Sequence, residues 1–144
     1  MSHSAVTGSS TGSVTISNLE EGSIVVSHKE GKEITSVSFH DVGHHPRPEL
    51  VFTASADRTV KAHEVEASRR GASKLKTLWT MDRHKDVVTS FSLHATGDYY
   101  VSSSLDGSWM FGDVESGRVL THVAVDDESG RFQFWRVGDM FVNS

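Results

Sequence analysis

The chain repeats itself, and that limits its fold more than any other feature. Val37-Ser38-Phe39-His40 returns 54 residues later as Phe91-Ser92-Leu93-His94. Leu50-Val51-Phe52-Thr53-Ala54-Ser55-Ala56-Asp57 returns 49 residues later as Tyr99-Tyr100-Val101-Ser102-Ser103-Ser104-Leu105-Asp106. Asn18 to Val25 matches Asp113 to Leu120, so the last half of another copy comes first. A period of this size marks one supersecondary unit stacked on itself, each copy burying its apolar face against its neighbours.

Within the unit the pattern is that of strands. Ile34, Ser36, Ser38 and His40 alternate with Thr35, Val37 and Phe39, and Val87, Thr89, Phe91 and Leu93 alternate with Val88, Ser90, Ser92 and His94. Turn residues interrupt every eight to twelve positions, as in Ala95-Thr96-Gly97-Asp98. No stretch of ten residues carries a convincing 3.6-residue period. The fold class expected is all-β: part of a β-propeller built of four-stranded antiparallel blades. The expected layout is a disordered Ser/Thr/Gly tail over 1–13, the end of one blade over 14–27, blades over 28–81 and 84–123, and a divergent C-terminal tail over 124–144.

The repeats resemble WD repeats, in which a His opens the blade and an Asp marks the turn before the third strand. The matching residues here are His28 with Asp57 and His84 with Asp106. Ser17-Asn18, His63-Glu64 and Gly112-Asp113 hold the positions of the signature Trp-Asp pair, so no repeat keeps the Trp. Two insertions, Asp41 to Glu49 and Ala67 to Ser73, lengthen the period beyond the usual roughly 40–45 residues. Ser92-Leu93-His94-Ala95-Thr96-Gly97-Asp98-Tyr99 and Asp113 to Thr121 resemble more closely the WD domain of the pre-mRNA-processing factor nineteen family, as does Ile34 to Val60. That resemblance spans roughly residues 24–130, and Phe132 to Phe141 does not continue it.

Members of that family are U-box ubiquitin-protein ligases of the spliceosome and of DNA repair, whose WD repeats bind substrates or partner proteins. The resemblance therefore implies a nuclear, protein-binding fragment. Its partners would be splicing-complex subunits or ubiquitylation substrates, with no cofactor. Nothing here reads as a U-box or a heptad run, so whether the chain takes part in an enzyme rests on the longer family members. A generic WD scaffold unrelated to splicing is the alternative. Two blades and a half cannot close a ring of the usual size, so the open flanks point to a larger parent or to self-association. The resemblance also makes His28, Thr53, Asp57, His84, Ser102 and Asp106 a blade-pinning network. Arg58 and Gly107, beside the Asp turns, are expected partner contacts, and so is the aromatic Trp79.

Other chemistry weighs less. His84, Ser102 and Asp106 have the residue types of a hydrolase triad, but the trio occurs twice, as a structural unit would. Gly8-Ser9-Ser10-Thr11-Gly12 fits the nucleophile-elbow pattern without the strand and helix that an elbow needs. His40, His44 and His45, with Asp41 and Glu49, read as a solvated Pro46/Pro48 loop rather than a metal site. The 144 residues contain no cysteine, so disulfides, thiol nucleophiles and Cys-type zinc are excluded. A net charge of −5 argues against coating nucleic acid by charge. In the basic stretch 58–85, the polar run with Arg69, Arg70, Lys74 and Lys76 lacks the interleaved aromatics of a base-stacking surface. No apolar run is long enough to suggest a membrane-spanning helix.

Overall fold

The computed structural model describes residues 4–40, 49–66, 73–126 and 131–132. The order is β1(Ser4–Gly8), β2(Ser13–Asn18), β3(Ser23–Lys29), β4(Ile34–His40), β5(Leu50–Ser55), β6(Val60–Glu66), β7(Lys74–Met81), β8(Val88–Leu93), β9(Tyr99–Ser104), β10(Ser108–Asp113), β11(Val119–Asp126) and β12(Arg131–Phe132). They form three antiparallel meanders: β1-β2-β3, β4-β5-β6-β7, and β8-β9-β10-β11 with β12 added at its edge. No helix occurs among the described residues. The all-β class and the sheets of partial propeller blades are thus as the repeats require.

Repetition extends to the irregularities. The ladder shifts register at Ile16/Ser17, at Ala62/His63 and at Phe111/Gly112, each time just where the Trp-Asp position begins. The extra residue lies on the neighbouring strand each time, at Val25, Leu78 and Leu120, and such a bulge bends that strand and increases its twist. The turn that follows is also shared. Asn18 Oδ1 accepts from the amide of Glu20 (2.9 Å), and Asp113 Oδ2 accepts from the amide of Ser116 (2.9 Å). This is the Asx geometry that makes Asn and Asp good turn starters.

One expectation is corrected at the start of the chain. The stretch 1–13, read as disordered, contains β1, paired with β2 from Ser4↔Asn18 to Gly8↔Val14. Its Ser and Thr residues build a hairpin turn. Ser9 Oγ accepts from the Ser13 amide (3.0 Å) and bonds Thr11 Oγ1 (2.8 Å), and Gly12 takes the left-handed φ of 85° that closes the loop. The first sheet therefore has three strands, not two, and His28 lies in its β3. Within 124–144, β11 runs to Asp126 and β12 pairs with it; 133–144 lie outside the described residues.

Two seams hold the sheets together. Between the first and second sheets Val14, Ile16, Val26, Ile34 and Val51 are buried, with Val6, Val37, Phe39, Val65 and Leu75 packed around them. Between the second and third the seam is aromatic. Phe52 stacks on Phe91 (centroids 5.3 Å apart), Phe91 on Tyr100 (5.5 Å) and Tyr100 on Trp79 (5.4 Å). Each such side chain contributes roughly 1.5–3 kcal/mol by leaving water. Polar atoms at this seam are paired too: Trp79 Nε1 donates to the Val114 carbonyl (2.8 Å) and Tyr100 Oη to that of Gly117 (3.0 Å). Thr35 Oγ1 donates to carbonyls on both sheets, of Ala54 and of Val88.

Candidate functional site

The third sheet brings His84, Ser102 and Asp106 together. His84 precedes β8, Ser102 lies in β9, and Asp106 begins the turn into β10. His84 Nε2 bonds Ser102 Oγ (2.8 Å), and Nδ1 bonds Ser108 Oγ (3.2 Å). Asp106 lies 3.7 Å from Nδ1 through Oδ2, which also accepts the Lys85 amide (2.7 Å), while Oδ1 accepts that of Ser108 (2.7 Å). Burial lowers the His84 pKa, more strongly than Asp106 raises it. Burial would raise the Asp106 carboxyl, but bonds from Ser108 and Lys85 and the nearby His84 outweigh it, holding the pKa at about 2. Ser102 and His84 are 0% and 3% exposed, so no ester could reach this serine, and the hydrolase reading has no access route. The group ties the start of the sheet to its β9–β10 turn.

The second sheet solves the same problem with other residues. Thr53 Oγ1 donates to Glu30 Oε1 (2.8 Å), and His63 Nε2 lies 2.8 Å from the same oxygen and 3.2 Å from Thr53 Oγ1. His63 Nδ1 bonds Thr77 Oγ1 (3.0 Å). Lys61 Nζ sits between two carboxylates, 3.5 Å from Glu30 Oε2 and 3.7 Å from Asp57 Oδ2. Burial would raise the Glu30 carboxyl, but bonds from His63 and Thr53 and the Lys61 charge hold it at about 2.

His28, expected as the partner of Thr53, is therefore corrected: the partner is Glu30. The signal was present in the sequence. The 54-residue offset between repeats, subtracted from His84, gives residue 30; a search for histidine stopped two residues early. The same offsets explain the rest of the set. His63 stands at the Trp position and supplies a ring donor in its place. Lys61 matches Met110, because only the second sheet has a buried carboxylate where the third has His84. At the third sheet's Trp position, Gly112 leaves its space to Tyr100, whose ring would lie 2.2 Å from an added Cβ.

Of the three residues expected at a partner surface, Trp79 is also corrected. Its ring faces Tyr100 and its N–H is used within the seam. Arg58 and Gly107 occupy equivalent turn positions with φ of 76° and 80°, and Arg58 is exposed. His44 and His45, Asp41 and Trp135 lie outside the described residues. A groove of about 170 Å³ between Leu93, Tyr99 and Phe111 lies apart from both networks.

Comparison with known proteins now decides the family. The model of the WD domain, G-beta repeat, matches residues 20–63 and 75–111, more than half of the chain. The chain belongs to the WD-repeat family. Among WD proteins it is similar to Pre-mRNA-processing factor 19 of Bos taurus, 43% identical over 99 residues, which are 69% of this chain and 17% of that protein. Pre-mRNA-processing factor 19 homolog 2 of Arabidopsis thaliana is 38% identical over 98 residues, 68% of this chain and 17% of its own length. The Caenorhabditis elegans protein is 30% identical over 126 residues, covering 87% of this chain and 23% of its own length. The chain thus spans about a sixth to a quarter of these relatives. In fold it is similar to the computationally designed Ika8 protein (TM-score 0.62, 21% identity), covering 81% of this chain and 32% of that one.

Proposed function

We propose that this WD-repeat chain binds proteins within a splicing assembly in the nucleus, acting as a recruiting part of a pre-mRNA-processing factor nineteen-like ubiquitin ligase. The observation that carries the reading is the 43% identity to Pre-mRNA-processing factor 19 over 99 residues. The geometry fits a binding role: the buried polar side chains of both networks are spent on pinning turns, leaving recognition to exposed turn residues. Arg58 and the backbone at Gly107 are the contacts proposed for a partner.

The test is affinity capture of nuclear proteins on the intact chain, compared with Arg58→Glu. Enrichment of splicing-complex proteins that falls with Arg58→Glu supports the reading. Enrichment of proteins outside splicing would replace it with a generic WD scaffold. A ubiquitylation or DNA-repair role would require the longer protein to lose that activity when Arg58 is reversed in charge.

A further inference from the structure

We infer that the seam between the first and second sheets holds a divalent transition-metal site of the zinc class, formed by His28, Glu30 and His63. The three residues come from three places, β3, the β3–β4 connection and β6, and their ligand atoms lie within 4.8 Å of one another. Two imidazoles and a carboxylate, with the fourth position left to water, are a common zinc donor set.

The surroundings already support the ligands as a metal site requires. His63 Nδ1 is tied to Thr77 Oγ1, which aims Nε2 at the cluster, and Thr53 Oγ1 bonds Glu30 Oε1. The Thr77 contact, on the far side of the His63 ring, is of the kind that fixes a ligand's orientation and raises affinity, while Thr53 holds the carboxylate from within the cluster. Glu30 Oε2 is buried and makes no hydrogen bond; among the described residues it faces the Lys61 ammonium, 3.5 Å away, so it already sits where a cation is favoured and is left to exchange that cation for a metal ion. His28 is half-buried, so it opens the cluster to solvent as an entry path.

Two groups must yield. Lys61 faces Glu30 Oε2 and would turn wholly to Asp57, its second carboxylate. In the metal-free form His63 Nε2–H donates to Glu30 Oε1. On metal binding that proton moves to Nδ1 and is donated to Thr77 Oγ1, which frees Nε2 for the ion. The third sheet has Gly112 where His63 stands, so it offers no second such site.

The experiment uses the full chain, purified without a metal-affinity tag and stripped with chelator. Zinc is followed by equilibrium dialysis and by thermal unfolding, and cobalt(II) by its visible absorption. The expected result is one zinc per chain, a raised Tm, and the intense visible bands of four-coordinate cobalt. His28→Ala removes no hydrogen bond of either pinning network and loses only a ring contact with His63 (centroids 5.4 Å apart), so it is expected to keep the fold with a slightly lowered metal-free Tm. Because His28 is a direct ligand, the variant is expected to weaken zinc binding by more than the roughly 10–100-fold that losing an outer supporting contact costs, and to abolish the cobalt bands. Equal binding by wild type and His28→Ala would assign the ion to exposed histidines and overturn the site. So would no binding with zinc in excess over the chain, or cobalt bands of the weak six-coordinate kind.

Discussion

The second and third sheets face one task, pinning the start of a sheet to its own turn, and meet it with opposite chemistry. The third sheet uses an uncharged ring and hydroxyls, His84 with Ser102 and Ser108, and leaves Asp106 near the surface to hold amides. The second buries a carboxylate, Glu30, then needs His63 and Lys61 to satisfy it. The lesson is that the position, rather than the residue type, is what the repeat preserves. One exchange, His to Glu, obliges two others: a ring donor at 63 and a cation at 61.

The largest expected effect follows from breaking the costlier solution. Glu30→Ala strands the buried face of Lys61 and the ring of His63, and should destabilise the chain by about 3 kcal/mol in urea unfolding. His84→Ala leaves Ser102 unpaired but strands no charge, so about 2 kcal/mol is expected. If the two variants lose the same amount, the charged network is not the more exacting one.

Acid should sharpen the same contrast. His84 has a lowered pKa in the fold, so the unfolded chain takes up a proton below the ordinary value of 6.5 while the folded chain does not. Stability is then lost as pH falls from 6.5, and His28 adds in the same direction. Glu30 and Asp106 are ionised in the fold down to about 2, against ordinary values of 4.5 and 3.8. Their stabilisation is complete above those ordinary values and is lost as pH falls towards 2. Urea midpoints measured against pH should fall in both windows. Glu30→Gln should shrink mainly the lower fall, leaving the share of Asp106, and His84→Gln mainly the upper, leaving the share of His28.

Smaller differences test the turns. Asp106 accepts two amides, while Asp57 accepts one amide and the Thr59 hydroxyl and pairs with Lys61, so Asp106→Ala and Asp57→Ala should each cost about 1.5 kcal/mol, read as similar drops in Tm. At the next position Arg58 holds a left-handed φ that Gly107 adopts freely. Arg58→Gly should therefore stabilise the chain by about 1 kcal/mol, and a lowered Tm would show that the Arg58 side chain contributes more than its backbone costs.

The repeat made the strands and their order legible, because period-2 alternation and recurring turns are local properties. Pairing His84 with Ser102 and Asp106 was legible for the same reason. Glu30 was not, because a search by residue type passes over a position whose partner has changed chemistry. Trp79 was misplaced because a strand tryptophan says nothing about which neighbouring sheet it meets. β1 was missed because Ser9, Thr11 and Gly12 read as a polar tail, although together they satisfy a hairpin turn.

That hairpin turn reaches further than its own sheet. The Gly12 carbonyl accepts the amide of Glu30 (2.6 Å), and the Ser9 carbonyl accepts that of Ile34 (3.0 Å). The segment delivering the buried carboxylate is therefore clamped from the first dozen residues. Proteolytic trimming there, or a fusion that strains the loop, would loosen an acid group in the interior without altering any residue around it.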